Sequence, residues 1–130
     1  MKDMIRAAVV IGKEQHFLLV QEGHAHAYGL WNWNQGKVEE GEDIEHVAVR
    51  EAKEETGYDV AMVKKLAVIN NPFTGTKEIH VFLGQIIGGE LAINKGEILQ
   101  AKWFTRADLS EIKATTPGPW VYDTIHAISD

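Results

Sequence analysis

Runs of apolar residues, separated by short polar or glycine-containing segments, divide the chain of 130 residues into predicted strands and helices. Residues 5–11 and 17–21 are rich in branched and aromatic side chains, and the polar segment between them predicts a β-hairpin. Residues 30–33 predict a short extended segment. Later apolar runs predict strands at 60–69, 78–87 and 101–104. Glycine and proline positions predict loops or turns at 23–29, 36–41, 70–76, 88–89 and 95–96.

An amphipathic pattern in the middle of the chain predicts a helix over residues 44–56. Its apolar stripe consists of Ile44, Val47, Ala48 and Ala52. Asp43 is a suitable N-terminal cap, and Gly57 is typical of a left-handed C-terminal cap. Further helical segments are predicted after Thr105 as far as Ile112, and over residues 120–128. Strands on both sides of a central helix predict an α+β fold in one domain that spans residues 1–130.

The polar face of the central helix carries an unusual concentration of negative charge. Glu51, Glu54 and Glu55 lie three and four residues apart, so they project from one face with Arg50 beside them. Like charges at this spacing destabilise a helix by roughly 0.2–0.5 kcal/mol per pair. A divalent cation such as Mg²⁺, which prefers oxygen ligands completed by water and phosphate, would reverse that effect. The sequence therefore predicts a metal and phosphate site on this helix.

The residues around this helix follow the spacing G-x5-E-x7-R-E-x-x-E-E-x-G, and they are Gly36, Glu42, Arg50, Glu51, Glu54, Glu55 and Gly57. This segment resembles the signature box of the Nudix hydrolases, which cleave a pyrophosphate within a nucleoside diphosphate linked to another group. A chance match at a given start is on the order of one in 10⁸. Two positions differ from the common pattern: Asn34-Gln35-Gly36 replaces Pro-Gly-Gly or Pro-Gln-Gly, and Tyr58 replaces Ile, Leu or Val.

The resemblance implies a Nudix-type α/β/α sandwich with a mixed β-sheet, a loop-helix-loop catalytic box, and Mg²⁺ or Mn²⁺ as cofactor. It also implies that Glu97, which precedes the Trp103-Phe104 strand, is a general base or an additional ligand. Arg50 either binds phosphate or orients a box glutamate, and the orienting role is favoured. The implied catalytic residues are Glu51, Glu54, Glu97 and Arg50. The implied metal ligands are the Gly36 carbonyl, Glu51, Glu54, Glu55 and Glu97.

Substrate contacts are predicted outside the box, because the metal site addresses only the diphosphate. Aromatic faces and amide groups suit a nucleobase pocket, although aromatic residues in strands also commonly belong to the core. Lys37 and Arg6 are candidate phosphate contacts. The predicted substrate-binding residues are Trp31, Asn32, Phe73, Trp103, Trp120 and Lys37.

Composition narrows the range of functions. The net charge of −6 argues against a broad nucleic-acid surface, and the absence of cysteine excludes disulfides and thiolate catalysis. No apolar run reaches the roughly 20 residues of a membrane span, and no signal-peptide core precedes the first predicted strand. We therefore expect a cytoplasmic protein without a membrane partner, and a homodimer is compatible with the sequence.

The leading functional hypothesis is hydrolysis of a nucleoside triphosphate to a monophosphate and pyrophosphate, similar to that of the MutT-type enzymes. The alternatives are hydrolysis of a dinucleoside polyphosphate, of ADP-ribose or of an RNA 5′ end. A non-catalytic, nucleotide-sensing Nudix module is the alternative of another class. The intact set of box glutamates favours catalysis.

Overall fold

The computed structural model describes residues 4–129. Its elements, in chain order, are β1 (Met4–Lys13), β2 (His16–Glu22), β3 (Trp31–Asn32), β4 (Asn34–Val38), α1 (Ile44–Thr56), β5 (Tyr58–Phe73), β6 (Thr76–Gly89), β7 (Ile98–Phe104), α2 (Arg106–Glu111), a 3₁₀ turn (Lys113–Thr115) and α3 (Pro119–His126). None of the helices within this range combines the length and the apolar character that a bilayer crossing needs.

The strands form one mixed sheet in which β3, β2, β1, β6 and β5 are successive neighbours. β1 and β6 are parallel, and the other recorded strand pairs are antiparallel. β1 and β2 pair near the turn that joins them. Farther from that turn β1 pairs with β4 and β2 pairs with β3, so residues 31–38 lie in the fork between the two strands.

Helices cover both faces of the sheet, and the central strand β1 is therefore buried on both sides. Ala7, Val9 and Ile11 pack in the core layer that contains the buried face of α1. Ala8 and Val10 face the other way and pack in the layer that contains α2 and α3. This alternation is the two-residue period of a strand. The α/β/α sandwich around a mixed sheet is confirmed.

The central helix has the predicted bounds and both predicted caps. The Asp43 side chain accepts a hydrogen bond from the backbone N–H of His46. Gly57 follows the helix with φ of 85°, in the left-handed region where a Cβ is unfavourable.

Three of the predicted loops or turns are wrong in whole or in part. Residues 36–38 belong to β4 and pair with β1 instead of forming a loop. The loop at 70–76 is mostly strand, since only Thr74 and Gly75 separate β5 from β6. Residues 88–89 pair with β5 inside β6. The physical reason is that pairing with a neighbouring strand outweighs the local preference of glycine, and register shifts in β5 accommodate the irregular positions. α3 also ends at His126, two residues before the predicted end.

Candidate active site

The centre of the site is the packing of α1 on β4. Gly36 is opposite Ala7 of β1, and the Glu51 side chain occupies the space above it. A Cβ at Gly36 would lie 2.2 Å from Glu51 Cγ, which is closer than real atoms approach. Glycine is therefore required at this position so that Glu51 can lie against the strand. Approach of the Gly36 carbonyl to a metal stays a prediction.

Arg50 contacts three glutamates of the box. Its Nη1 donates a hydrogen bond to Glu42 Oε2 at 2.7 Å. Its guanidinium also lies 3.9 Å from carboxylate oxygens of Glu51 and of Glu54. The hydrogen bond from Arg50 is the largest cause that lowers the pKa of Glu42. These contacts fit the orienting role that the sequence favours for Arg50.

Glu55 is a buried carboxyl group without a satisfied environment. It is 9% exposed, and its Oε1 is buried without a hydrogen-bond partner. Burial, together with the neighbouring charges of Glu22, Glu51, Glu97 and Glu54, raises the pKa of Glu55 to about 9. Such a carboxyl group stays neutral at pH 7 unless a cation compensates its charge. An orphaned oxygen among carboxylates is the donor set that a hard divalent cation fits.

The other carboxylates surround Glu55 at different depths. Burial is the largest cause that raises the pKa of Glu51, and the charges of Glu54 and Glu97 add to it. Glu54 is exposed, and so is Glu97, which lies in the turn before β7. Between residues 4 and 129 no three His, Cys, Asp or Glu side chains already stand at metal-binding spacing. The ligand roles of Glu51, Glu54, Glu55 and Glu97 therefore stay predictions.

Glu22, the last residue of β2, is a site residue that the sequence analysis missed. Burial is the largest cause that raises the pKa of Glu22, and the charge of Glu97 raises it further, whereas His24 and Arg6 lower it. The backbone N–H of Gly23 donates to the Glu97 carbonyl at 2.8 Å, which ties the Glu97 loop to the end of β2. The available signal was a charged residue between a predicted strand and a predicted loop.

A cleft of about 540 Å³ adjoins this cluster. Glu55 and Glu22 line it, together with Asn32 and Phe73 of the predicted substrate set. Arg6, His24, His26, Ala27, Leu30, Gln35 and Pro117 also line it. The cleft therefore brings carboxylates, an amide, an aromatic ring and a cation to one space.

The remaining predicted substrate residues do not line this cleft. Trp31 is buried in the core and packs edge-on against Phe104, with ring centroids 5.0 Å apart. Trp103 packs in the layer that contains α1. Trp120 packs near Phe73, which lines the cleft, and their ring centroids are 6.3 Å apart. Lys37 is exposed and lies 3.7 Å from Glu39. Strand alternation explains the difference between Trp31 and its neighbour Asn32, because adjacent residues face opposite sides of the sheet.

Comparison with known proteins identifies the family. The NUDIX domain family model matches residues 1–124. The chain is 33% identical over 99 residues to an oxidized purine nucleoside triphosphate hydrolase of Mus musculus, covering 74% of this chain and 62% of that protein. It is 34% identical over 108 residues to the NAD-capped RNA hydrolase NudC of Vibrio vulnificus (strain CMCP6), covering 82% of this chain and 40% of that protein. The chain thus spans less than two thirds of the length of these relatives.

Solved structures share the fold. A NUDIX hydrolase from Nitrosomonas europaea superposes with a TM-score of 0.79 at 27% identity, covering 96% of this chain and 87% of that chain. A MutT NUDIX hydrolase from Burkholderia pseudomallei gives a TM-score of 0.83 at 21% identity, covering 99% of this chain and 100% of that one, and supports the fold alone. The glutamate-lined β4–α1 unit and the sandwich around it agree with the family match over residues 1–124. The chain therefore belongs to the NUDIX family.

Proposed function

We propose that this protein is a divalent-metal-dependent hydrolase of a pyrophosphate bond, and that its substrate is a nucleoside triphosphate, which it converts to a monophosphate and pyrophosphate. The observation that carries the proposal is the buried Glu55 carboxyl group, whose Oε1 has no partner and whose neighbours are further carboxylates. A divalent cation held by these carboxylates would supply the missing counter-charge, and such a cation also suits nucleotide phosphates. The similarity to an oxidized purine nucleoside triphosphate hydrolase supports the choice of substrate.

The residues that would hold the cation are Glu51, Glu54, Glu55 and Glu97, with the Gly36 carbonyl; Glu22 is a further carboxylate beside them. When bound, the metal would neutralise charge on the diphosphate and lower the pKa of a nearby water. This donor set suits both Mg²⁺ and Mn²⁺, because both bind carboxylate oxygens.

The side chains of the site orient the reactants. Glu51 or Glu97 accepts a proton from a water that attacks phosphorus in line. One P–O bond forms to the water oxygen, and the bridging P–O bond on the opposite side breaks, so the leaving group, which is pyrophosphate or the nucleoside monophosphate, carries away the electron pair. Arg50 holds the box carboxylates in place through its contacts to Glu42, Glu51 and Glu54.

The cleft is the proposed nucleoside site. Phe73 is partly exposed there and offers a ring face for stacking, and Asn32 offers an amide that can read a base edge. Arg6 lines the cleft, and its guanidinium suits a phosphate oxygen.

The direct test is a panel of nucleotides with Mg²⁺ or Mn²⁺, with the phosphate products identified by ³¹P NMR. We expect a monophosphate and pyrophosphate from at least one nucleoside triphosphate, and loss of turnover when EDTA removes the metal. Release of orthophosphate alone would contradict the proposed cleavage site. Nucleotide binding with no turnover would instead support the non-catalytic module. Preferred turnover of a dinucleoside polyphosphate, ADP-ribose or a capped RNA end would move the substrate to those classes, to one of which the NudC relative belongs.

The base-reading role of Asn32 has its own expected outcome. Asn32→Ala should narrow the rate difference between preferred and poor nucleobases, because a site that hydrogen-bonds its ligand rejects ligands that leave its groups unpaired. The metal dependence should stay unchanged. Asn70→Ala is a matched control, since Asn70 is an exposed amide outside the cleft lining. An unchanged ranking of bases in the Asn32 variant would remove Asn32 from the base site.

A further inference from the structure

One buried side chain near the carboxylates lacks any hydrogen bond. Asn34, the first residue of β4, is 1% exposed, and neither its Oδ1 nor its Nδ2 has a partner. Together with Oε1 of Glu55, these are the buried side-chain nitrogen and oxygen atoms without a partner in residues 4–129. Burial of a polar group without a hydrogen bond is unfavourable, because its bonds to water are lost. All such atoms in the described part of the chain thus belong to two residues.

The register of β4 directs the Asn34 side chain toward α1. Residues two apart lie on the same face of a strand, and Gly36 faces α1 because Glu51 fills the space above it. The partners in β1 agree: Asn34 is opposite Val9 and Gly36 is opposite Ala7. Both of these β1 residues pack in the core layer that contains α1.

The geometry of α1 places Glu55 above Asn34. A short loop joins the end of β4 to the start of α1, so the helix runs back over the strand. Glu51 lies over Gly36, and four further helical residues advance by about 6 Å. Two strand residues, from Gly36 back to Asn34, cover about 6.6 Å in the same direction. The unpartnered amide and the unpartnered carboxyl oxygen therefore lie on facing surfaces of the same strand–helix pair.

We propose that Asn34 is a positioning residue for Glu55, and that its Nδ2–H group donates a hydrogen bond, through at most one water, to the Glu55 carboxylate when that carboxylate binds a divalent cation. This inference rests on the proposed metal-dependent function and names a residue that supports it. Carboxylates that bind metals are themselves held by hydrogen bonds, and removing such a partner weakens metal affinity by roughly 10–100-fold. Asn34 is not one of the seven spaced residues of the box, and it stands where the common pattern has proline.

The test compares metal affinity with metal-free stability in Asn34→Leu, which keeps a similar volume but removes the amide. We expect the dissociation constant for Mn²⁺, measured by isothermal titration calorimetry without nucleotide, to rise by roughly 10–100-fold. The melting temperature in EDTA should stay the same or rise, because an unpaired buried amide is replaced by an apolar group. A role in stability alone would lower the melting temperature and leave the affinity unchanged.

Thr56→Val is the matched control on α1. Thr56 is also buried, but its hydroxyl donates a hydrogen bond to the Ala52 carbonyl at 2.6 Å and accepts one from the Tyr58 backbone N–H at 3.2 Å. Its replacement should therefore lower the melting temperature in EDTA and leave the Mn²⁺ affinity unchanged.

A smaller pair of variants covers the case in which Asn34→Leu does not fold. Asn34→Ser keeps a hydroxyl donor and should bind Mn²⁺ more tightly than Asn34→Ala. Equal affinities of these two variants, or an Asn34→Leu affinity equal to that of the original protein, would overturn the positioning role. If either of these results is obtained while the original protein hydrolyses nucleotides with a metal, the positioning role of Asn34 fails and the proposed function stands. If it binds no divalent cation, both proposals fail.

Discussion

The two layers that cover the sheet differ in how their polar groups are satisfied. In the layer that contains α2 and α3, Thr105 and Asp108 close a reciprocal cap at the start of α2, with each side chain accepting from the other residue's backbone N–H. In the layer that contains α1, Asn34 and Glu55 are buried with unpartnered atoms. Among residues 4–129, the α2–α3 layer leaves no buried side-chain nitrogen or oxygen without a partner, whereas the α1 layer leaves three such atoms. The difference teaches where function is to be sought, and our two proposals assign these three atoms to the Asn34–Glu55 contact and to a bound cation.

The largest expected effect is on turnover in the α1 layer. Glu54→Gln removes one negative charge from the proposed metal site, and we expect kcat to fall on the order of 10²-fold or more. The free energy of unfolding should change by less than about 0.5 kcal/mol, because Glu54 is exposed. Glu45→Gln, also an exposed glutamate of α1, is the control and should keep full activity. Full activity of Glu54→Gln would remove Glu54 from the metal site.

Gly36→Ala should affect both turnover and stability. The new Cβ would meet Glu51 at 2.2 Å, so the side chain or the strand must shift. We expect destabilisation of about 1–3 kcal/mol, typical of overpacking. We also expect kcat to fall by up to about 10²-fold, because Glu51, which we propose as a catalytic carboxylate, is displaced. Urea denaturation and steady-state kinetics provide the two measurements.

Gly96→Ala is the matched control for Gly36→Ala. A Cβ there would lie 3.4 Å from Asn94 Oδ1, and the backbone lies outside the left-handed region, so little should change. If Gly36→Ala behaved like Gly96→Ala, the close packing of Glu51 on β4 would be contradicted.

The pH dependence of stability should expose the buried carboxyl group. Burial raises the pKa of Glu55 to about 9 in the folded state, above its ordinary value of 4.5. Between these values the folded protein binds a proton that the unfolded chain releases, so the free energy of unfolding should fall as the pH rises from about 5 to 9. Glu55→Gln should flatten this decline in EDTA. Identical pH profiles of the two proteins would contradict a neutral, buried Glu55.

The smallest effect on stability and turnover is expected in the layer that contains α2 and α3. Thr105→Ala removes the side-chain acceptor of the α2 cap and should lower the free energy of unfolding by about 1 kcal/mol. The values of kcat and KM should stay unchanged, because α2 contributes no residue to the cleft. Thermal unfolding and the nucleotide assay test both parts. A large loss of turnover would show that the two layers are more strongly coupled than their contacts indicate.

The sequence predicts best what local contacts decide. The bounds of α1 follow from Asp43, Gly57 and the apolar stripe between them, and the structure confirms them. The α/β/α sandwich is predicted from the resemblance to the Nudix family, because the residue spacing of the box is specific to that family. β4 could not be predicted in the same way, since its glycine favours a loop and only pairing with β1 makes it a strand.

The sequence predicts the cleft less well, because burial and facing direction depend on distant segments. Glu22 becomes partly buried next to Glu97, which is 75 residues later in the chain. Trp31 and Asn32 are equally plausible base contacts from residue type alone. Both residues belong to β3, but they face opposite sides of the sheet, so Trp31 packs in the core and Asn32 lines the cleft.

The parallel pairing of β1 with β6 has a consequence for the order of folding. It joins residues 4–11 to residues 76–84, and the whole of β4 and α1 lies in the chain between them. Closing a contact over such a sequence separation is slow compared with forming a helix. During synthesis, α1 can form early, but β1 has no β6 to pair with until the ribosome has released residue 84. The acidic residues of α1 therefore emerge well before the sheet that later buries Glu55 is complete.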